Sequence, residues 1–542
     1  MKESSNILRG PDYLFVFPEE MTVGQLIHNQ LETHGTKIAQ IQKETGEELT
    51  YKDILTRSQK LAVYLRNHGI KLNDRIAICS ENNLGWAVSI CATIFVGATV
   101  CPLNPMYSQR EFLHTINISK PKLIFVSPLV LKSVKNYVKE LSWTPTIILM
   151  LEEPNVDVPS IGKLISNIPT KNIENFQVTN VKVTEHVVSI LCSSGTTGMP
   201  KGVMLTDKNY LSTIQTMLDG SVGIAMQDQT IICLLPFFHA YCFSVLIFSI
   251  IAGSTAIVFS TFKEEAFLET IEKYKTQVLS LVPPLMVFLA KHPIVDNYDL
   301  SSVKIIWCGA APLSREIEDA VKKRLNNPEI RQGYGMTETT LTVVKIPENC
   351  DKPGSAGRLM PGVLGKVIPV DYSGKWSDKT LGPYQEGELC FKGDLIMKGY
   401  CGDKTSTSAT IDEEGWLHTG DVGYYDDDGF FYIVDRLKEL IKYKGFQVPP
   451  AELEAILLTH PEIKDAAVVG LPDEVAGELP IAFVVKQPNA KVTADGVLKY
   501  VNERVSNQKK LRGGVRFLQD IPKNPSGKIL RRELRQLLKS KL

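Results

Sequence analysis

The sequence predicts an α/β fold with a large N-terminal domain, which includes a β-rich subdomain, and a small α+β C-terminal domain. In the first part of the chain, short apolar runs alternate with amphipathic stretches, which is typical of helices packed on largely parallel sheets. Between residues 352 and 434 the pattern changes to short strands separated by glycines and turns. A compact helix-and-strand unit follows Arg436-Leu437-Lys438. With 542 residues, the chain is also too long for a single hydrophobic core.

The individual elements follow from the spacing of apolar residues. Short apolar runs predict strands at 75–79, 99–102, 122–126, 146–151, 255–259, 277–282 and 304–308. Amphipathic spacing predicts helices over 53–68 and 314–325. In the β-rich part, Asp427-Asp428-Gly429 predicts a turn between strands. In the C-terminal unit we predict helices at 450–459, 495–505 and 531–538, and strands at 465–471 and 481–486.

One uncharged stretch needs a separate interpretation. Residues 231–262 contain no Lys, Arg, Asp or Glu. By length alone, this uncharged segment could cross a bilayer. Pro236, His239 and Gly253 divide the stretch, however, into a strand-like, a helix-like and a second strand-like part. We therefore predict a buried strand–helix–strand unit and no transmembrane span.

The composition limits the kinds of molecule that the protein is expected to bind and the compartment in which it is expected to work. Hydrophobic residues make up 44% and charged residues 22%, with a net charge of +0, as in ordinary soluble domains. There is no basic field that would favour nucleic acid. The ten cysteines are scattered without a C-x-x-C pair, and no secretory segment is recognisable, so we expect reduced thiols in an intracellular protein.

The run from Ser193 to Gly202 is the most informative segment. It reads Ser-Ser-Gly-Thr-Thr-Gly-Met-Pro-Lys-Gly and follows an apolar strand-like run at 187–192. Glycines allow the backbone to approach a ligand, and successive N–H groups with a lysine suit phosphate oxygens. The run is not a Walker A loop, because Lys201 is followed by Gly202 rather than Ser or Thr. Taken alone, it also fits an ordinary surface turn.

Four further segments carry candidate functional residues. Residues 332–340 place Glu338 among hydroxyls, a combination that suits Mg²⁺, although an exposed loop carboxylate is the simpler alternative. Residues 416–421 end in Asp421, which is suited to ribose hydroxyls or to capping a turn. Residues 435–446 have the mixed charges of a solvated face, and residues 522–528 form a loop that ends in Lys528.

Together, the five segments resemble the adenylate-forming superfamily of acyl-CoA synthetases, 4-coumarate–CoA ligases and beetle luciferases. The resemblance spans about residues 22–528 and is greatest to insect luciferase-like fatty acyl-CoA synthetases. It implies an adenylation domain over 1–434, a hinge at 435–438 and a small mobile domain over 439–542. The resemblance also implies that ATP and CoA are reactants and that Mg²⁺ is the metal cofactor. A carboxylate would attack the α-phosphorus of ATP, and the CoA thiol would then displace AMP.

The resemblance also assigns roles to individual residues. Around ATP it places Ser193, Ser194, Gly195, Thr196, Thr197, Lys201, Gly309, Ala310, Ala311, Gln332, Gly333, Tyr334 and Gly335. Thr337 would touch the α-phosphate, and Glu338 would hold Mg²⁺. Asp421 and Arg436 would bind the ribose, and Lys528 would be the adenylation lysine. Lys438 would be the hinge pivot, and the CoA step would use Lys442, Lys444, Gly445 and Phe446.

The acyl pocket would be lined by Phe238, His239, Tyr241, Phe243 and Leu341, with His239 also counted among the catalytic residues. This apolar lining favours a medium- or long-chain fatty acid. A luciferase is the main alternative, but beetle luciferases tend to have a small polar residue where this chain has Leu341. They also carry an arginine before the Pro-Phe-His strip, whereas no Lys or Arg occurs between Lys208 and Lys263. An aromatic acid ligase of the 4-coumarate type and a non-catalytic nucleotide-binding scaffold are further alternatives.

The C-terminal tripeptide predicts a location. The chain ends in Ser540-Lys541-Leu542, which matches the address read by the peroxisomal import receptor. We therefore expect a peroxisomal protein with that receptor as a partner.

Overall fold

The structure is a computed structural model. It describes residues 6–193, 199–218, 227–311, 313–348, 350, 352–370, 376–377, 379–444, 446–524 and 527–539. Of Lys539 it describes the backbone only.

The helices of the described residues begin mostly at Ser, Thr or Pro caps. They are α1 Val23–His34, α2 Tyr51–Asn67, α3 Gly85–Phe95, α4 Gln109–Ser119, α5 Pro128–Tyr137, α6 Ile161–Ser166, α7 Asp207–Leu218, α8 Ala240–Ile251, α9 Glu264–Tyr274, α10 Pro283–Lys291, α11 Arg315–Arg324, α12 Lys404–Ser408, α13 Pro450–Thr459, α14 Ala494–Asn502 and α15 Arg531–Lys539.

The strands largely alternate with these helices as far as residue 334, and between residues 329 and 448 they follow one another with only α12 among them in the described part of the chain. They are β1 Leu8–Arg9, β2 Ile38–Gln42, β3 Glu48–Thr50, β4 Arg75–Cys79, β5 Thr99–Leu103, β6 Leu123–Val126, β7 Thr146–Leu149, β8 Val187–Ser193, β9 Lys201–Thr206, β10 Thr230–Cys233, β11 Thr255–Val258, β12 Val278–Leu281, β13 Ile305–Cys308, β14 Glu329–Tyr334, β15 Val344–Lys345, β16 Arg358–Leu359, β17 Leu364–Ile368, β18 Gly387–Lys392, β19 Gly399–Tyr400, β20 Leu417–Tyr425, β21 Phe431–Arg436, β22 Ile441–Tyr443, β23 Phe446–Val448, β24 Ile463–Asp473, β25 Gly477–Lys486 and β26 Gly514–Phe517.

Two sheets with largely parallel centres form the body of the large domain. In the described residues, one has the order β16-β15-β14-β13-β12-β10-β11-β2-β3 and the other β19-β9-β8-β5-β4-β6-β7. A continuous apolar core joins α1, α2, α3 and α8 to both sheets. The central strands of these two sheets are covered on both faces, so their residues are almost wholly apolar. For this reason, short apolar runs in the sequence were enough to predict where the strands lie. The prediction of α/β layers is confirmed.

An antiparallel sheet of order β1-β17-β18-β20-β21 forms the β-rich subdomain. Its own apolar core includes Phe391 and Phe431, both fully buried. The predicted turn at Asp427-Asp428-Gly429 joins β20 to β21 and is closed by an Asp426 side chain that accepts from the Asp428 and Phe430 amides. The last strand, β21, leads directly into the segment 435–438.

The C-terminal unit has a sheet of order β23-β22-β25-β24, with β26 added parallel to β25. Helices α13 and α14 pack on it to form a separate core. The predicted helix 495–505 is shorter in the structure, since α14 ends at Asn502. The Asn502 side chain accepts from the Leu511 amide at 3.1 Å and so fixes the chain where it leaves the helix.

The uncharged stretch folds as predicted, with β10, α8 and β11 as a parallel strand–helix–strand unit inside the core. Among the helices that the structure describes, none combines the length and the apolar character that crossing a membrane requires.

Candidate functional site

Asp421 lies at the centre of a polar cluster between β14 and the β-rich subdomain. The Tyr334 hydroxyl donates to Asp421 Oδ2 at 2.6 Å, and Arg436 Nε lies 3.4 Å from Asp421 Oδ1. Burial raises the pKa of the Asp421 carboxyl, while Arg436 and the Tyr334 hydroxyl act in the opposite direction. Asp421 was expected at the end of a turn, but it lies within β20 directly opposite Arg436 of β21. A buried carboxylate of this kind suits vicinal hydroxyls such as those of ribose.

Glu338 is the second carboxylate of the site, and it is buried rather than exposed on a loop. The Tyr400 hydroxyl donates to Glu338 Oε1 at 2.9 Å, and Lys201 Nζ lies 4.7 Å from the centre of the Tyr400 ring. Tyr400 therefore connects the lysine of the glycine-rich run to the candidate magnesium ligand. Sequence reasoning missed Tyr400, because nothing in the residues around it distinguishes it from a core aromatic.

The segment 309–311 follows β13, and its first residue lies beside the Tyr241 ring. A Cβ at Gly309 would lie 3.7 Å from the Tyr241 ring, and Ala310 adopts a left-handed conformation with φ 71°. The Tyr241 hydroxyl donates to the Trp307 carbonyl at 3.3 Å, which holds the ring beside this backbone. Ala311 continues the same turn. The predicted adenine-binding residue Gly309 therefore lies beside an aromatic ring.

The chain from Gln332 to Leu341 reverses tightly at the end of β14. A Cβ at Gly335 would lie 1.7 Å from the Leu341 carbonyl oxygen, so only glycine fits there. Leu341 itself has φ 97°, which is unusual for a branched residue. Gln332 donates to Glu318 at 3.0 Å, Gly333 pairs with β15, and Thr337 is buried beside Glu338.

The structure describes the two ends of the glycine-rich run. Ser193 ends β8 and lies opposite Lys201, the first residue of β9. The predicted phosphate-binding residues Ser194, Gly195, Thr196 and Thr197 lie outside the described residues.

Lys528 of the C-terminal unit reaches the same site. Burial and the Arg436 charge lower the pKa of the Lys528 ammonium to about 8, while Asp421, Glu439 and Glu338 act in the opposite direction. Gly527 places its loop against the large domain, since a Cβ there would lie 3.4 Å from Val282 Cγ2. The loop is closed by Asn524, whose amide donates to the Lys528 carbonyl at 2.9 Å and whose side chain accepts from the Lys528 amide at 2.8 Å.

His239 lies at the start of α8, close to Lys528. Burial and the Lys528 charge lower the pKa of the His239 imidazole to about 4, so the ring is neutral at physiological pH. Phe238, Tyr241 and Leu341 are partly buried and pack against the same apolar core. Phe243, one turn further along α8, is fully buried with its ring 6.4 Å from that of Tyr210. The structure thus places Phe238, Tyr241 and Leu341 at the margin of the apolar core of the large domain and Phe243 inside that core.

Most of the chain matches two known protein families. Residues 27–401 match the AMP-binding enzyme family, and residues 452–528 match the AMP-binding enzyme C-terminal domain. The chain belongs to the AMP-binding enzyme family. The resemblance drawn from the five motifs is therefore confirmed.

Individual relatives agree with this assignment. The enzyme is 41% identical to a luciferin 4-monooxygenase of Nipponoluciola cruciata, over 99% of this chain and 98% of the relative. It is 39% identical to 4-coumarate–CoA ligase 1 of Petroselinum crispum, over 96% and 95% of the two chains. The crystal structure of ATP-bound MatB from Rhodopseudomonas palustris has the same fold, with a TM-score of 0.85 and 24% identity over 96% of this chain and all of that one. The AMP-binding enzyme is thus an adenylate-forming enzyme, either an acid–CoA ligase or a luciferase-like enzyme.

The predicted hinge begins within the last two residues of β21, and the predicted CoA residues follow it. Lys438 lies two residues after the Arg436 that contacts Asp421, and the Leu437 amide donates to the Gly420 carbonyl at 2.9 Å. Lys442 is exposed on β22, Lys444 adopts a left-handed conformation with φ 46°, and Phe446 is 55% exposed on β23. Gly445 and the predicted import signal Ser540-Lys541-Leu542 lie outside the described residues. In this arrangement, Lys528 rather than Lys442 lies among the site carboxylates.

Proposed function

We propose that the enzyme activates a medium- or long-chain fatty acid with ATP and converts it to the acyl-CoA thioester. The observation that carries the proposal is the convergence of Lys528 with Asp421, Glu338 and His239, the residue that caps the apolar helix α8. An ammonium at this point neutralises charge where a carboxylate attacks the α-phosphorus of ATP and pyrophosphate leaves. The carboxylate end of the acid would face Lys528, and its chain would lie against the predicted lining of Phe238, Tyr241 and Leu341.

The lining supports an apolar acid. Phe238, Tyr241 and Leu341 offer carbon surfaces, and the neutral His239 adds no charge. Each methylene transferred from water to such a lining contributes about 0.8 kcal/mol, so affinity would rise with chain length until the pocket is full.

Magnesium fits the Glu338 position. The carboxylate is buried, and its Oε1 is held by the Tyr400 hydroxyl, which orients the group as a ligand requires. When bound, Mg²⁺ would neutralise phosphate charge and hold the departing pyrophosphate. Within the chain itself, Tyr400 positions Glu338, and Lys201 adds a positive charge on the same side.

For the second step we propose that the small domain rotates about 435–438. The present arrangement holds Lys528 in the site and leaves Lys442 at an exposed position of β22. A rotation would exchange the two lysines and admit the CoA thiol, which attacks the acyl carbonyl and releases AMP.

The deciding experiment measures pyrophosphate release from ATP with a series of fatty acids, 4-coumarate and firefly luciferin, with and without CoA, while light is recorded. We expect CoA-dependent turnover of fatty acids with a maximum at one chain length and little light. Strong light with luciferin and weak fatty acid turnover would establish a luciferase instead, an outcome that the 41% identity to a luciferin 4-monooxygenase makes worth testing. Preferred turnover of 4-coumarate would establish an aromatic acid ligase.

We also propose that the enzyme acts in the peroxisome. The tripeptide Ser540-Lys541-Leu542 supports this as an import address. An N-terminal fluorescent fusion is expected to co-localise with a peroxisomal marker, and deletion of Leu542 is expected to leave it in the cytosol. Peroxisomal fluorescence that survives the deletion would contradict the proposal.

A further inference from the structure

A second cluster of reactive side chains lies in the β-rich subdomain, outside the adenylation site. Glu388 and Cys390 stand on β18, and His418 stands on the neighbouring strand β20. The Cys390 Sγ lies 3.4 Å and the Glu388 Oε2 lies 3.6 Å from His418 Nδ1. One potential ligand atom from each residue lies within 4.8 Å of the others. In a tetrahedral zinc site, the usual bond lengths separate a sulfur ligand from a nitrogen or oxygen ligand by roughly 3.5–3.7 Å, and a nitrogen ligand from an oxygen ligand by roughly 3.3–3.5 Å.

The other ring nitrogen of His418 is already oriented. His418 Nε2 lies 3.2 Å from Asp412 Oδ2, and Asp412 Oδ1 in turn accepts from the Trp416 amide at 2.8 Å. A carboxylate on the far nitrogen fixes the tautomer that leaves Nδ1 with a lone pair, as it does for metal-bound histidines. The Trp376 ring stacks on His418 with centroids 3.9 Å apart and so restricts rotation of the imidazole.

The Glu388 side chain is held in the same way. Its Oε1 accepts from the Gly420 amide at 2.9 Å, which turns Oε2 toward His418. Cys390 is fully buried, whereas the side chains of Glu388 and Asp412 are 13% and 17% exposed. A cation would therefore enter past the two carboxylates and meet the sulfur last.

The local charge suits a divalent cation. When a cation binds, the Cys390 thiol releases its proton to solvent and becomes a thiolate. The thiolate and the carboxylates of Glu388 and Asp412 then carry three negative charges around the cation. Lys366, whose ammonium lies 4.4 Å from the centre of the Trp416 ring, supplies the opposing positive charge. Mixed sulfur, nitrogen and oxygen ligands favour Zn²⁺ over the hard cation Mg²⁺.

We propose that Glu388, Cys390 and His418 form a binding site for Zn²⁺ or a similar thiophilic divalent cation, with Asp412 as the carboxylate that orients His418. The site adjoins the nucleotide and hinge regions. Gly420, which donates to Glu388, precedes Asp421 and accepts from the Leu437 amide at 2.9 Å. A bound cation would therefore stiffen the backbone on which the ribose carboxylate and the hinge both depend.

Titration of the purified, metal-stripped enzyme with Co²⁺ tests the site, because a thiolate bound to cobalt gives an intense near-ultraviolet charge-transfer band. We expect this band to saturate at one Co²⁺ per chain, to be displaced by Zn²⁺ and to be unaffected by excess Mg²⁺. The band should disappear in Cys390→Ser and persist in Cys350→Ser, a half-buried cysteine elsewhere that serves as the matched control.

Two further variants separate binding from folding. His418→Gln should weaken binding at least tenfold, and Asp412→Asn, which keeps all three ligands, should weaken it about 10- to 100-fold. Zinc should raise the unfolding temperature of the wild type but not that of Cys390→Ser. The proposal is overturned if the wild type develops no charge-transfer band, or if the band survives in Cys390→Ser.

Discussion

At the scale of single residues, the adenylation site depends on where one lysine lies. Lys528 is isolated in the sequence near the end of the chain, where lysines usually do no more than increase solubility. The structure places it among Asp421, Glu338 and Arg436, in surroundings dry enough to lower its pKa to about 8. A buried lysine with a perturbed pKa in a cleft is typical of a functional group.

Lys528→Ala is expected to abolish formation of the acyl-adenylate and to spare thioester formation from supplied acyl-adenylate. The reason is that the ammonium stabilises charge only where the carboxylate and the α-phosphate react. Pyrophosphate release and thioester formation are measured separately. Lys523→Ala is the matched control, because Lys523 lies in the same loop but pairs with Asp465 at 2.6 Å. Equal loss of both half-reactions in Lys528→Ala would contradict this role.

The pKa of Lys528 also predicts a pH dependence. Below about pH 8 the free enzyme carries the charged ammonium, and above it the charge is lost, so kcat/KM for adenylation should fall as pH rises through 8. His239 has a pKa of about 4 and stays neutral throughout this range, so it cannot cause the change. Lys528→Arg should retain its charge and move the falling limb to higher pH. An unchanged limb in that variant would assign the titration to another group.

At the scale of elements, most strands and helices could be predicted from the sequence. The contacts between those elements could be predicted less well. Apolar runs such as 75–79 and 255–259 located β4 and β11 because parallel strands are buried on both faces. Motif spacing selected Asp421 and Glu338. It did not select Tyr400, nor the cluster of Glu388, Cys390 and His418, because those contacts join segments that are far apart in sequence and meet only across a folded sheet.

One contact between elements of the two domains yields a prediction. Lys291, the last residue of α10, donates to the Leu458 carbonyl at 2.7 Å and the Ile463 carbonyl at 3.2 Å, beside the C-terminal end of α13. A cation there complements the helix dipole. Lys291→Ala should slow adenylation several-fold, because it loosens the arrangement that keeps Lys528 in the site, and it should not slow the thioester step. Lys273→Ala, on the neighbouring helix α9, is the control. Equal slowing of both steps would contradict this role for Lys291.

At the scale of the whole molecule, one site must serve two reactions. The structure holds Lys528 in the site, whereas Lys442 and Phe446 lie at exposed positions of β22 and β23. Both lysines belong to the small domain, so we expect a single rotation about 435–438 to withdraw one as it delivers the other. Such an exchange separates the adenylation and thioester steps in time.

Lys442→Ala is therefore expected to slow the thioester step at least tenfold and to leave adenylation nearly unchanged, the reverse of the effect expected for Lys528→Ala. Single-turnover measurement of each half-reaction tests this, with Lys464→Ala at another exposed strand position as the control. A double variant of Lys442 and Lys528 should lose both steps. If Lys442→Ala instead slows adenylation as much as thioester formation, the two lysines act in one arrangement, and the small domain does not need to rotate between the steps.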